Sequence, residues 1–147
     1  YQLRPESVGE LRLASADPFE APRITANYLA TETDRRTIRD AVKLLRRIFA
    51  QPAFDPYRDR EMSPGADIQS DQEIDDWVRE TAESVFHPVG TCRMGVGRDA
   101  VVDGELRVHG IGNLRVVDAS VMPRMPSCNT HAPTVMIAEK AADAILG

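Results

Sequence analysis

Cysteine is scarce in this sequence: the 147 residues contain only Cys92 and Cys128, which do not form a Cys-x-x-Cys pair. Two cysteines cannot build the disulfide framework of a small secreted domain, so we expect a reducing compartment and a cytoplasmic protein. Histidine is scarce too, with three residues and no His-x-x-x-His pair. The common spacings of a zinc site are therefore missing, and we expect no metal.

Basic residues are outnumbered: 18 Lys and Arg face 23 Asp and Glu, which gives a formal net charge of -5. This balance argues against a nucleic-acid partner, which normally requires a basic surface. No apolar run approaches the roughly 20 residues of a membrane-spanning helix, and no secretory leader opens the chain. We therefore expect no transmembrane segment, while peripheral attachment of a larger protein to a membrane stays open.

The remaining composition is that of an ordinary globular protein, with 42% hydrophobic and 28% charged residues. A chain of this length can bury a core of its own. It begins at Tyr1, without an initiating methionine, and enters directly into patterned sequence. We therefore expect it to be part of a longer protein.

Periodic patterns divide the chain into short strands and three helices, separated by prolines and glycines. Alternation predicts strands at residues 9–13 and 23–28. Two more strands are predicted within 101–118, the second of them a more buried strand at 113–118. Recurrence at three and four residues predicts helices at 31–50 and 70–81. A third helix is predicted at 135–146; it is apolar on most sides, which is typical of a buried helix. Residues 52–70 form an unusually long loop, of a kind that is often functional or mobile.

Capping signals mark the starts of the first two helices. Thr31 and Asp34 stand three residues apart before an apolar stripe, and Ser70 with Glu73 forms a capping box. The first helix also carries six basic residues, which we expect to face solvent: Arg35, Arg36, Arg39, Lys43, Arg46 and Arg47. Trp77 is expected in the core.

Two of the three histidines lie in stretches of small residues and turn formers, FHPVGTCRMG (86–95) and NTHAPT (129–134). Imidazole titrates near pH ~6.5, so it can take and return a proton at neutral pH. If the two loops adjoin, His87 and His131 could act on one substrate hydroxyl. The alternative is that each is a loop histidine bonded to backbone. His109 lies in an alternating run and is interpreted as an ordinary surface residue.

Several motifs occur in one order along nearly the whole chain: GELRL (9–13), SADP (15–18), NYL (27–29), HPVGTCRMG (87–95), NLRVVDAS (113–120) and NTHAPT (129–134). Together they resemble the C-terminal part of the glucose–methanol–choline oxidoreductases, which are FAD-dependent alcohol dehydrogenases and oxidases. Among these, the choline dehydrogenase-like members look most similar. The stretches around His87 and Asp118 are the most specific part of the resemblance.

The resemblance implies an α+β fold, with a mainly antiparallel sheet and flanking helices from the substrate domain. Residues 1–106 would belong to that domain and carry the His87 loop. Residues 107–147 would complete the FAD-binding domain with its last strand, the His131 loop and its last helix. The family's Gly-x-Gly-x-x-Gly stretch, which cradles the FAD pyrophosphate, has no match here. The N-terminal FAD-binding half of the full-length chain would therefore be the partner, and this fragment alone would be inactive and prone to self-association.

The implied reaction is FAD-dependent oxidation of a primary alcohol to an aldehyde, with hydride transfer to N5 of the flavin. In this resemblance His87 is the general base on the substrate hydroxyl, and His131 holds the same oxygen. The start of the last helix would face the pyrimidine end of the flavin. The implied cofactor-binding residues are Asp118, Ala119, Thr130, Ala132, Pro133 and Thr134.

The resemblance specifies the type of reaction more closely than it specifies the substrate or the electron acceptor. Choline-specific relatives often carry Asn at the position of His131, whereas other members carry His, so we expect a primary alcohol in general. Oxygen and other electron acceptors are both open. The alternative function is a non-catalytic binding or interaction domain that retains the fold. A cofactor-free hydrolase using His87 has no support, because no Gly-x-Ser-x-Gly turn is present.

Overall fold

The computed structural model describes residues 1–147 and has the predicted α+β composition. Its two-stranded antiparallel sheet consists of β1 (Glu10–Arg12) and β2 (Arg23–Thr25). Its helices are α1 (Glu32–Phe49), α2 (Asp71–Thr81) and α3 (His131–Leu146), with short 3-10 turns at Pro52–Phe54 and Ala119–Val121. None of the helices combines the length and the apolar character needed to cross a membrane.

The chain packs as two compact units that alternate along the sequence. The first unit comprises Tyr1–Gln2, Glu6–Val8 and Asn27–Ser84 and contains α1 and α2. The second comprises Leu3–Pro5, Gly9–Ala26 and Val85–Gly147 and contains the hairpin and α3. The division at residue 106 refers to the domains of a full-length protein and stays a prediction.

In the first unit, α1 and α2 begin where their capping signals place them. The Thr31 hydroxyl accepts a hydrogen bond from the Asp34 N–H at 3.2 Å. Ser70 and Glu73 form the predicted capping box. Ile74 and Val78 are buried, whereas Trp77 is only half-buried. These helix starts depend on local hydrogen bonds, so the sequence alone predicts them.

The basic side of α1 is not simply solvated, and that prediction is partly wrong. The Arg39 side chain is only 12% exposed and lies 2.7 Å from the Asp75 carboxylate on α2. It also pairs with Glu32, while Lys43 pairs with Asp71 at the start of α2. Charges on two neighbouring helices thus hold α1 against α2, an arrangement that periodicity along one helix cannot reveal.

A buried carboxylate holds the start of the chain against α1. Asp34 is 1% exposed, and it accepts hydrogen bonds from Gln2 Nε2 (2.6 Å), the Glu6 N–H (2.9 Å) and the Ser7 N–H (2.8 Å). The Ser7 hydroxyl also donates to it. Burial alone would raise the pKa of Asp34, but the hydrogen bonds led by Ser7 outweigh it and lower the pKa to about 2.

Asp34→Asn is expected to destabilise the protein by about 2 kcal/mol at neutral pH, since one pKa unit corresponds to about 1.4 kcal/mol. The folded pKa lies below the usual value near 3.8. The stabilisation is therefore present above pH ~4 and disappears as the pH falls towards about 2. The free energy of unfolding, measured with urea over this pH range, should change less with pH in the variant than in the natural protein. Asp40→Asn, at an exposed position of α1, is the matched control; an equal loss there would refute the special role of Asp34.

In the second unit, the core consists of Val102, Leu106, Val121 and Ala141. The two strands predicted within 101–118 are reduced to isolated bridges, Met94–Val102, Val102–Val108 and Arg107–Arg115. The continuous strand predicted at 113–118 is therefore wrong for this chain. Its start is interrupted because Asn113 has a φ of 59°, and Leu106 before it has a φ of 65°. Left-handed residues end an extended run.

The apolar helix α3 is much less buried than its sequence predicts. Ala141 is its one buried residue, and Val135, Met136 and Ile145 are about half exposed. The predicted burial is therefore wrong within this chain. The apolar stripe of α1 behaves similarly at Leu45 and Phe49. A chain of this length has too few residues to cover both α3 and the apolar stripe of α1 completely.

The hairpin of β1 and β2 pairs Glu10 with Thr25, Leu11 with Ile24 and Arg12 with Arg23. Gly9 lies directly before it, where the backbones approach closely. A Cβ atom at Gly9 would lie 2.1 Å from the Thr25 carbonyl oxygen. A side chain is therefore excluded at this position for steric reasons.

Gly9→Ala is expected to destabilise the protein by about 3 kcal/mol, the upper part of the range for overpacking, because the added Cβ would collide with the backbone carbonyl oxygens of Thr25 and Ala26. The measurement is the urea unfolding midpoint of the protein. Gly97→Ala is the control, since a Cβ there meets nothing within 4 Å. If the two variants were equally stable, the close approach at Gly9 would have no energetic importance.

Candidate functional site

The His87 stretch is attached to the 3-10 turn at Ala119–Val121 by two backbone hydrogen bonds. The Cys92 N–H donates to the Ser120 carbonyl at 3.1 Å, and the Met94 N–H donates to the Val121 carbonyl at 2.9 Å. Gly90 also lies close to this turn, because a Cβ there would be 3.4 Å from the Met122 carbonyl oxygen. Two stretches whose bonded residues are 27 and 28 positions apart in sequence thus form one structural element, in which His87 is half-buried.

The Asp118 carboxylate has a structural partner that the sequence interpretation missed. It accepts hydrogen bonds from the Ser120 N–H (2.7 Å) and from the Ser120 hydroxyl, and so caps the 3-10 turn. Ala119, the next residue, is half-buried. An Asp followed two residues later by Ser is a signal for such a turn and could have been recognised. The carboxylate therefore supports the backbone to which the His87 stretch is bonded.

The second predicted stretch forms the beginning of α3. Thr130 is buried, whereas His131 and Ala132 are exposed. The Thr134 N–H and hydroxyl both donate to the Thr130 carbonyl, at 3.0 and 2.7 Å. These bonds fix the first turn of the helix around Pro133.

The N-terminus of α3 is suited to an acceptor-rich or anionic group. Thr130 makes no side-chain capping bond, and no acidic residue occupies the first turn. The N–H groups of His131 and Ala132 have no acceptor within the helix, and the helix dipole places about +0.5 charge there. Such a donor set fits a flavin ring edge that carries carbonyl groups and gains negative charge on reduction.

The predicted site residues all lie in the second unit. Hydrogen bonds bring the His87 stretch to the turn after Asp118. The helix that begins at His131 joins the same core, since Ala141 packs with Val102 and Val121. The direct pairing of the two imidazoles stays a prediction. No group of three or more His, Cys, Asp or Glu side chains is arranged to hold a metal ion.

His109 has a partner of its own at the end of the His87 stretch. Its Nε2 atom lies 3.0 Å from the Gly95 carbonyl oxygen, although the side chain is exposed. His109 lies at the surface as its alternating run predicts, but its contact with Gly95 could not be predicted, because the two residues meet only through the fold. This contact gives His109 a structural role at the end of the His87 stretch.

The family model described as GMC oxidoreductase matches residues 5–138. This chain belongs to the GMC oxidoreductase family. It is 56% identical over 145 residues to a protein of Chromohalobacter salexigens named oxygen-dependent choline dehydrogenase, covering 99% of the chain and 26% of that protein. A protein of the same name from Pseudomonas fluorescens is 53% identical, with the same coverage. The chain thus spans about a quarter of the length of the curated relatives it matches.

Solved structures support the same membership. Pyridoxine 4-oxidase from Mesorbium loti is 38% identical with a TM-score of 0.89, and the match covers 96% of this GMC chain and 28% of that one. An FAD-dependent oxidoreductase from Chaetomium thermophilum is 31% identical with a TM-score of 0.90, covering 99% and 25%. The predicted resemblance to the C-terminal part of this family is confirmed.

Proposed function

We propose that this chain is the C-terminal part of an FAD-dependent oxidoreductase that converts a primary alcohol to an aldehyde. The observation that carries the proposal is the hydrogen-bonded junction of the His87 stretch with the Ala119–Val121 turn, in a chain that belongs to the GMC family. Relatives named choline dehydrogenase make choline the first alcohol to test.

The beginning of α3 and the segment at Asp118 and Ala119 would hold FAD, which when bound accepts the hydride at N5. The uncapped N–H groups of His131 and Ala132 would donate to the ring edge, with Pro133 shaping the first turn. Thr130 and Thr134 would act indirectly, since their mutual hydrogen bonds keep this turn in shape.

His87 would take the proton of the substrate hydroxyl. Loss of this proton, together with the hydride from the adjacent carbon, leaves the aldehyde. A neutral imidazole is a suitable acceptor near pH 7. His131 would hold the same oxygen and keep the carbinol carbon oriented. The exposed position of His131 at a helix start is compatible with contact to a substrate.

The N-terminal part of the full-length chain is the proposed partner. The matched relatives extend well beyond the region covered here, and the phosphate-binding glycine motif is missing from these residues. Val135, Met136 and Ile145 on α3 expose apolar surface, which is unfavourable in water by about 25 cal/mol per Å². Covering this surface would join the two parts, and self-association of the fragment would cover it in their absence.

The test is anaerobic rapid mixing of the full-length flavoprotein with a panel of primary alcohols that includes choline. We expect the absorbance of oxidised flavin to be bleached by at least one of them. The O-methyl ether of choline is the matched control, because it keeps the cationic group but has no hydroxyl proton. Failure of every primary alcohol to bleach a fully loaded enzyme would contradict the proposed function.

A further inference from the structure

Phe86, the residue directly before His87, has a left-handed backbone. Its φ is 57°, a conformation that is uncommon for residues other than glycine and a genuine outlier for a bulky one. Its side chain is 85% exposed, so burial of the ring within this chain does not offset the strain. Such outliers persist where the surrounding structure fixes them, and they cluster at functional sites.

The residue after His87 restricts the backbone from the other side. Pro88 has a fixed φ and disfavours the helical region for the residue that precedes it. In sequence, His87 thus lies between a residue with a left-handed backbone and a proline, and both neighbours restrict its backbone. Two residues further on, Gly90 again has a positive φ, of 87°, and the chain then enters the hydrogen bonds to the 3-10 turn.

We propose that the left-handed backbone at Phe86 positions the His87 imidazole, and that Phe86 is a positioning residue whose backbone conformation matters more than its ring. This inference rests on the proposed role of His87 as general base. Rotation of the peptide between Phe86 and His87 would redirect the imidazole, and small misplacements of a reacting group reduce rates strongly. The backbone conformer that directs the imidazole towards the substrate hydroxyl therefore has to be the preferred one.

The test uses three variants of the full-length enzyme at position 86. Phe86→Gly and Phe86→Asn favour the left-handed region, whereas Phe86→Val disfavours it. At saturating alcohol, we expect flavin reduction in the Gly and Asn variants to stay within about threefold of wild type. Reduction in the Val variant should be slower by roughly tenfold, as expected from the cost of a left-handed conformation. A near-normal rate in Phe86→Gly, which lacks the ring, together with a slow rate in Phe86→Val would show that the backbone conformation matters and the ring does not.

Val85 provides the matched control, because it is adjacent and has no positive φ. Val85→Asn should reduce the flavin no faster than wild type, whereas Phe86→Asn should reduce it faster than Phe86→Val. Thermal melting is measured in parallel, since a purely structural role would move the melting temperature and leave the limiting reduction rate unchanged.

Equally slow reduction in all three variants, none of which has an aromatic ring, would assign the role to the ring and overturn the inference. A Val variant faster than the Gly and Asn variants would also overturn it. Equal rates in all three variants would overturn it as well. If Phe86→Val does not fold, Phe86→Ala replaces it, and the same order relative to Phe86→Gly is expected. His87→Ala is measured in the same series: a wild-type rate there would reject the proposed base, independently of the order at position 86.

Discussion

Replacing His87 with Ala in the full-length enzyme is expected to slow alcohol-dependent flavin reduction by about 10²–10⁴-fold, the usual contribution of a general base. The alcohol proton would then pass to water, which is a weaker base held in no fixed orientation. The rate constant is measured by anaerobic stopped flow at saturating alcohol. Flavin content should be unchanged, because no contact with the cofactor is proposed for this imidazole.

His109→Ala is the matched control for removal of an imidazole. It eliminates the contact with the Gly95 carbonyl at the far end of the same stretch, and we expect reduction to stay within a few-fold of wild type. Two results would contradict this assignment: a wild-type rate for His87→Ala, or a loss of about a hundredfold for a folded His109→Ala. The second result would show that the wrong histidine was chosen.

The helix starts could be predicted because their determinants are local. Thr31 bonds to an N–H three residues away, and Ser70 with Glu73 does the same for α2. Helix propagation after such a start depends on nearest neighbours along the chain. The pattern of the sequence and the structure therefore coincide for α1 and α2 to within about one residue.

The prediction of a buried strand at 113–118 from its apolar residues is wrong for this chain. A strand exists only when another backbone pairs with it. Of residues 113–118, only Arg115 makes a bridge, to Arg107. The exposure of Met136 and Ile145 on α3 has a similar origin. Burial depends on what covers a helix, and the hydrophobic pattern of that helix contains no information about its partner.

For the candidate site, the sequence suggests residues but not the contacts between them. The motif around His87 and the one at Asp118 could be recognised, whereas the hydrogen bonds from Cys92 and Met94 to the turn after Asp118 could not be predicted, because they join residues far apart in sequence. The hydrogen bond from Ser120 to Asp118 could have been predicted, since an Asx turn is a local pattern. The left-handed backbone of Phe86 could not, because Phe rarely adopts this conformation.

Replacing both His87 and His131 with Ala is expected to slow flavin reduction by less than the product of the two single effects. His131→Ala alone should slow the same step, since the substrate oxygen loses a group that positions it. Once the base is missing, however, accurate positioning of the hydroxyl brings less benefit, so residues that serve one proton transfer are not independent. The two single variants and the double variant are compared by anaerobic rapid mixing with one alcohol.

The reference for this comparison is a pair of substitutions that should be independent. Asp40→Asn, on α1 in the other unit, combined with His87→Ala should give a rate equal to the product of the single effects, because Asp40 is assigned no part in the proton transfer and independent sites usually contribute additively. If the two histidine substitutions multiplied in the same way, His87 and His131 would act on different steps. The interpretation of a shared hydroxyl would then have to be abandoned, while His87 could still be the base.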